Sequence, residues 1–350
     1  MASSTELSSL ATTAVVGDGF APLQVKHVVR ETPDAVSLVL GVPSGCEDRF
    51  RYRAGQFLTL RVEVNGEEHR RCYSMSSSPA VEDDLRITVK RDRDGVVSNW
   101  LNDTAASGAQ LHAAPPEGRF VLADTDRDLV AFAGGSGITP VFSLIHSALV
   151  TTPRRARLFY ANRDRASVIF ADALTKLVAD HTDRLRLHHH LDERSGVVSP
   201  ADIEAFCSDA GDADYYICGP APFMDTVEAA VLAAEVPRER VHLERFSLAP
   251  IPVPELGDVV TEEVTIKLGR HTVTVPYRAG NTLLQTARSA GLRAPSSCET
   301  GSCGTCMAQV TEGSARMLNN DALDDDEVAE GWVVTCQSLP TSRTVRVVYE

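Results

Sequence analysis

Cys298-Glu299-Thr300-Gly301-Ser302-Cys303-Gly304-Thr305-Cys306, with Cys336 thirty positions further on, is the stretch that decides how the last part of this chain folds. The spacing, four residues between the first two cysteines and two between the next pair, is that of a plant-type two-iron, two-sulfur (2Fe-2S) site. Thiolates supply the soft, anionic ligands such a cluster requires, and one tight loop carrying three of them can wrap it from one side while Cys336 closes it. Gly301, Ser302, Gly304 and Thr305 keep the loop small, so backbone N–H groups can reach the sulfurs. A structural zinc site is the competing reading; it usually takes two short Cys-x2-4-Cys knuckles, and this stretch has one short pair. The other cysteines, Cys46, Cys72, Cys207 and Cys218, are scattered. In a reducing compartment, clustering of this kind points to metal rather than to disulfides.

Working outward, residues 261–350 form one unit: a hairpin over 264–268 and 272–275 with its turn at Gly269, a helix over 282–290, and then the cysteine loop. This segment resembles a plant-type ferredoxin domain, an α+β β-grasp fold, including the small-residue loop and Cys336-Gln337-Ser338. The stretch before it, 248–260, holds Pro250, Pro252 and Pro254 and reads as a semi-rigid linker. Upstream again, 124–247 alternates apolar strands (129–133, 157–161, 185–189, 215–218, 241–246) with helical stretches, which predicts an α/β unit with a parallel sheet. Its first turn enters a helix with Pro140 in the first turn and Val141, Leu144, Ile145 and Ala148 on one face. Residues 21–123 carry short β-type runs (23–29, 36–42, 56–64, 85–90) between turn residues and predict an antiparallel Greek-key barrel. One short helix is expected over 98–105, capped by Ser98. Residues 1–20 read as a disordered lead-in.

Two motifs lie inside these units. Arg71-Cys72-Tyr73-Ser74, with Ser77 and then Gly95-x-x-Ser98, resembles the flavin signature of the ferredoxin-NADP reductase family. The residue types suit it: Arg71 can pair with a phosphate, Tyr73 can stack on a flat ring, and Ser74 can hydrogen-bond its edge. Gly95 and Ser98 would set a helix N-terminus beside a pyrophosphate. Taken alone, Arg-x-Tyr-Ser is also an ordinary strand end with a solvated Arg. Ala133-Gly134-Gly135-Ser136-Gly137-Ile138-Thr139-Pro140 lets the chain turn sharply and bring a helix N-terminus against a diphosphate, although a purely structural glycine turn would look similar. It resembles the nicotinamide loop of the same reductase family, as does Cys218-Gly219-Pro220 with Met224 after it.

The resemblance implies a flavin cradle of Arg71, Tyr73, Ser74, Ser77, Lys90, Gly95, Ser98 and Phe246. It implies a nicotinamide cradle of Gly134, Gly135, Ser136, Gly137, Thr139, Cys218, Gly219 and Pro220. Ser74, Cys218 and Glu244 would form the catalytic set for hydride transfer. Without the resemblance, Cys218 reads as a buried strand-end thiol and Glu244 as a surface carboxylate. The flavin implied is FAD, on Gly95-x-x-Ser98 and Pro116-Glu117-Gly118-Arg119-Phe120, with FMN the alternative used by a related class of the same domain order. Asn162, Arg163 and Asp164, at the end of the second strand of the parallel sheet, carry both a carboxylate and a cation and do not separate NADH from NADPH; the resemblance implies NADH. His188-His189-His190 suggests a metal site, but strand side chains alternate between faces and do not converge easily, so a partly exposed strand is the favoured reading.

The chain has 350 residues, enough for two or three domains, with 43% hydrophobic and 23% charged residues. A net charge of -14 excludes nucleic acid as an expected partner, and no apolar run approaches a membrane span. The N-terminus, with no basic residue before Lys26, lacks the pattern of a secretion signal, so the cytoplasm is the expected compartment; a monomer is the expected state. A nicotinamide releases two electrons together and an iron-sulfur cluster takes one, so a flavin must stand between them. The order flavin, nicotinamide, ferredoxin resembles the reductase components of multicomponent oxygenases, particularly those of the 3-ketosteroid 9α-hydroxylase and phenylacetyl-CoA epoxidase systems. That implies a terminal oxygenase as the separate electron acceptor. An electron carrier or a cluster-based redox sensor, neither oxidising NAD(P)H itself, is the alternative. The acidic run Asp321, Asp324, Asp325, Asp326 and Glu327 is either a solvated loop or a surface that steers a basic partner.

Overall fold

The computed structural model describes residues 19–82, 84–246, 261–296, 301, 303–320 and 322–349. The expected lead-in (apart from Gly19 and Phe20), the proline linker and Cys298 therefore lie outside the described residues.

The first sheet is antiparallel, in the order β4-β3-β6-β1-β2-β5: β1 (Ala21–Thr32), β2 (Ala35–Gly41), β3 (Phe57–Val64), β4 (Glu67–Ser74), β5 (Leu85–Lys90) and β6 (Gln110–Ala113). A bridge between Met75 and Ile87 brings the end of β4 to β5, so the sheet curls into a barrel. Alternation fills it: Leu23, Val25, Leu38, Leu40, Leu58, Leu60 and Ile87 point inward. β4 and β6 fall outside the strands predicted from sequence. The first half of β4, Glu67-Glu68-His69-Arg70, buries nothing fully, and β6 spans four residues. The helix α1 (Val96–Thr104) corrects the predicted cap, because Gly95 is the cap residue and Ser98 lies inside the first turn. There the Ser98 hydroxyl accepts from the Asp92 N–H (3.2 Å) and donates to the Gly95 carbonyl (3.4 Å), tying the preceding turn to the helix.

The second sheet is parallel, ordered β11-β10-β7-β8-β9: β7 (Asp128–Gly134), β8 (Ala156–Asn162), β9 (Leu185–Leu191), β10 (Ala213–Cys218) and β11 (Val241–Glu244). β7 and β10 lie near the centre as apolar runs buried almost throughout. Helices α2 (Ile138–Thr151), α3 (Ala171–Asp180), α4 (Asp192–Ser195), α5 (Pro200–Cys207) and α6 (Ala221–Ala233) occupy the crossovers. In β9, His188 and His190 stack on Phe159 and His189 lies against Tyr160, so the three histidines do not converge. His190 is buried, and its Nε2 lies 2.8 Å from the Gly196 carbonyl.

The third sheet, β13-β12-β18-β14-β16, pairs β12 (Glu263–Leu268) antiparallel with β13 (His271–Pro276) and parallel with β18 (Thr344–Tyr349). Helix α7 (Leu283–Ser289) packs Leu283, Leu284 and Ala287 into its core. Its start is a reciprocal cap, with Thr282 accepting from the Gln285 N–H and Gln285 accepting from the Thr282 N–H. β14 (Met307–Glu312), β15 (Ala315–Met317), α8 (Asp325–Ala329), β16 (Trp332–Val334) and β17 (Ser338–Pro340) complete the unit. The described residues thus form an antiparallel barrel, an α/β unit on a parallel sheet and a C-terminal α+β unit. No helix among the described residues is long and apolar enough to cross a membrane.

Candidate functional site at the barrel and nucleotide-sheet junction

The first two units share one core. Ala35, Ala54 and Phe120 of the barrel side pack with Leu144, Tyr216 and Cys218 of the nucleotide unit. Polar contacts run through this buried seam: Ser143 Oγ donates to the Ser77 carbonyl (2.6 Å), and the Ser78 and Ser147 hydroxyls lie 2.7 Å apart. Ser74, the last residue of β4, reaches across to Glu244, the last residue of β11. Its Oγ donates to Glu244 Oε2 at 3.1 Å, with Ser74 4% and Glu244 6% exposed. The carboxylate is therefore buried at the mouth of the parallel sheet and is not a surface group.

Cys218 ends β10 and pairs in register with Glu244. Burial, with Glu244 adding to it, pushes the Cys218 thiol well above the usual thiol range, so it stays an uncharged S–H. The two glycine-containing turns close against each other here. A Cβ on Gly137 would lie 2.1 Å from the Cys218 carbonyl oxygen, so only glycine permits this approach. Gly134 likewise faces Pro220 and Phe223. Thr139 Oγ1 donates to the Ser136 carbonyl (3.0 Å) and holds the turn at the start of α2. Gly134, Gly135, Ser136, Gly137, Thr139, Cys218, Gly219 and Pro220 are thus gathered at the C-terminal ends of β7 and β10. In open parallel sheets this edge takes the phosphates of a dinucleotide.

On the barrel side, Tyr73 precedes Ser74, and burial raises its hydroxyl far above the ordinary tyrosine range, so it stays neutral. Arg71 is exposed and its guanidinium donates to the Arg70 carbonyl (2.7 Å). Lys90, at the end of β5, faces the glycine turn: its Nζ lies 3.5 Å from where a Cβ on Gly135 would stand. Burial pulls the Lys90 ammonium below its usual range, and Asp34, 3.9 Å away, opposes that shift. The same Asp34 carboxylate pairs with Arg163 at 3.3 Å, joining the β1–β2 turn to the end of β8. Ser77 differs from the rest. Its hydroxyl lies 2.6 Å from that of Tyr52 and accepts from the Arg86 N–H (2.9 Å), so its hydrogen bonding is met inside the barrel. Phe246, two residues beyond β11, is 38% exposed.

Cys306 and Cys336 sit in the core of the third unit, and Cys303 is partly exposed. Backbone N–H groups point at their sulfurs, from Thr305 to Cys303 Sγ (3.4 Å) and from Cys336 to Cys306 Sγ (3.5 Å). Donors aimed at sulfur are what cluster thiolates require, so these residues fit a 2Fe-2S group. Tyr349 lines the same core. Burial, with Cys306 and Cys336 contributing, pushes its hydroxyl up to about 12. Two contacts that sequence reading missed join this unit to the barrel: from the cysteine loop, Thr305 Oγ1 donates to Glu117 Oε2 (3.1 Å), and from α8, Glu327 pairs with Arg119 (3.5 Å).

Family models match three stretches of the chain. They match an oxidoreductase FAD-binding domain over residues 22–122, an oxidoreductase NAD-binding domain over 132–229 and a 2Fe-2S iron-sulfur cluster binding domain over 266–341. The ferredoxin reductase component of the 3-ketosteroid-9-alpha-monooxygenase of Mycobacterium tuberculosis is 41% identical over 96% of this chain and 97% of its own. The chain belongs to the family of oxygenase reductase components. The corresponding component of Mycolicibacterium smegmatis is 42% identical, covering 96% of this chain and 98% of that one. A component of the 1,2-phenylacetyl-CoA epoxidase of Escherichia coli is 32% identical over 95% of this chain and 98% of its own. Among solved structures, phthalate dioxygenase reductase aligns with a TM-score of 0.63 at 28% identity, covering 95% of this chain and 98% of that one. As an oxygenase reductase, the chain is an oxidoreductase carrying FAD, nicotinamide and 2Fe-2S domains. The expectations of fold class, cofactor set and enzyme class are met.

Proposed function

We propose that the protein takes hydride from NADH at the junction of Ser74 and Glu244 and passes electrons singly through its cluster to a separate terminal oxygenase. The flavin, when bound, supplies the conversion from two-electron to one-electron chemistry. The Ser74–Glu244 hydrogen bond carries this reading, because it joins the barrel and the nucleotide sheet at a buried point beside both glycine turns. Ser74 presents its hydroxyl to the flavin edge, and Glu244 holds that hydroxyl in place. The neutral Cys218 thiol gives the nicotinamide a flat, uncharged floor. Arg71, Tyr73, Gly95 and Ser98 hold the flavin, with Lys90 at the mouth between the flavin and nicotinamide phosphates and Phe246 shielding the outer face. Ser77, buried and hydrogen-bonded within the protein through its hydroxyl, N–H and carbonyl, supports the flavin cradle from behind. Gly134, Gly135, Ser136, Gly137, Thr139, Gly219 and Pro220 form the cradle for the nicotinamide dinucleotide. Cys298, Cys303, Cys306 and Cys336 ligate the cluster.

The same reading assigns residues 21–123, 124–247 and 261–350 to the three domains, with 248–260 as linker, and a monomer working in the cytoplasm. The 41–42% identity to 3-ketosteroid-9-alpha-monooxygenase reductase components favours a steroid-oxidising partner. NADH and NADPH oxidation, measured anaerobically with ferricyanide and with cytochrome c, tests the donor and the route. NADH should be used at lower KM, and equal use of both would remove the NADH assignment. Reconstitution with a 3-ketosteroid oxygenase should give hydroxylated product; uncoupled NADH oxidation without product would contradict the choice of partner.

A further inference from the structure

We infer that the Glu117 carboxylate and the Thr305 hydroxyl form the seat that holds the cluster loop against the flavin barrel. The contact is one link in a continuous run of paired groups. Ser74 stands opposite Phe57 in the β3–β4 register. Phe57 exchanges both backbone hydrogen bonds with Glu117, N–H to carbonyl at 2.8 Å one way and 3.0 Å the other. Glu117 Oε2 accepts from Thr305 Oγ1 at 3.1 Å, and the Thr305 N–H donates to Cys303 Sγ at 3.4 Å. Residue by residue, the run leads from the hydride-transfer end of β4 to a cysteine of the cluster loop.

The chemistry of the two ends suits a positioning contact. Glu117 is fixed by its backbone to β3, the strand paired with the one that carries Arg71, Tyr73 and Ser74, so its side chain is the part able to reach out. Thr305 lies between two cysteines of the motif, so anything that holds its hydroxyl also sets the loop. A hydrogen bond to a carboxylate is stronger than a neutral one. Arg119–Glu327 lies alongside but is half exposed and weaker, so it assists and does not define the seat. Thr305 and Glu117 touch no nicotinamide-cradle residue in this run, which makes them positioning residues for electron exit.

This inference rests on the flavin and cluster reading above, and the wild-type protein separates the two. If NADH bleaches neither chromophore, that reading fails; if both bleach, the seat can be tested on its own. Thr305→Val and Glu117→Ala should keep the flavin and cluster absorbance ratio of wild type, which checks folding. In stopped-flow reduction by NADH, the cluster phase should slow by about tenfold, the effect of one charge-assisted hydrogen bond, while the flavin phase keeps its rate. Hydrogen exchange should rise at residues 116–120 in both variants, and Thr305→Ser, which retains the hydroxyl, should restore both readouts. A cluster phase within twofold of wild type in both variants would overturn the seat. So would slowing without any change in exchange, or a Thr305→Ser variant as slow as Thr305→Val, since either would place the effect in the electronics or packing of the loop.

Discussion

The barrel meets its two neighbours in different ways. Against the nucleotide unit the seam is buried: Ser74, Glu244, Cys218 and Tyr216 are nearly inaccessible, and side chains of both units fill one core. Against the ferredoxin unit the named contacts are polar and partly exposed, Thr305 with Glu117 and Arg119 with Glu327. The difference follows from what crosses each boundary. Hydride moves only between atoms in near contact, so small errors of placement are costly and a rigid, dry seam is required. An electron tolerates a gap, so a few directional contacts that fix orientation suffice. The first boundary is built as a core and the second as a dock.

Four substitutions test that contrast, beginning with the largest effect. Cys303→Ser should abolish cytochrome c reduction while flavin reduction by NADH persists; undiminished cytochrome c reduction in a protein shown to lack the cluster would mean electrons leave elsewhere. Gly137→Ala attacks the rigid seam, since its Cβ would meet the Cys218 carbonyl at 2.1 Å and force the two turns apart. The KM for NADH should rise by at least about tenfold, as expected when binding loses more than about 1.4 kcal/mol. Unchanged NADH kinetics would show that the turns need not touch. Ser74→Ala removes one buried hydrogen bond, worth about 1 kcal/mol, and should slow flavin reduction by roughly five- to tenfold with little change in KM. A change confined to KM would instead make Ser74 a binding group. Arg119→Ala breaks an exposed ion pair and should slow the cluster phase by less than about threefold, an effect that vanishes at high salt. An effect as large as that of Thr305→Val would make the dock electrostatic.

Much of this organisation was legible in the sequence because it is written in residues with few substitutes. The cysteine spacing answers to one chemistry, whereas the glycines of 134–137 and Arg71-x-Tyr73-Ser74 each allow a plainer reading alone and gain their meaning from their order along the chain. The misreadings have physical causes. β4 escaped because its first half is polar on both faces, with little alternation to detect. Ser98 looked like a helix cap, but the backbone turn at Gly95 takes that place: a Cβ there would lie 2.2 Å from the Ser98 hydroxyl. Glu244 read locally as a solvated carboxylate; its burial depends on Ser74, 170 positions away. The same holds for Thr305 with Glu117 and Arg163 with Asp34, pairs whose members have nothing distinctive about them until the units are brought together. In the acidic run, Asp324 and Glu327 cap the start of α8 reciprocally, and Glu327 also pairs with Arg119, so these two carboxylates have structural uses before any partner is considered. Asp321 lies outside the described residues.

The proposed relay runs within one polypeptide, from nicotinamide through flavin to cluster. It is tested most directly by the visible spectrum of the purified protein, taken anaerobically while NADH is added in substoichiometric steps. Flavin and cluster absorbance should both bleach, with each NADH delivering two electrons shared between them. Bound chromophores that NADH leaves oxidised, or a flavin that bleaches while the cluster does not, would contradict it.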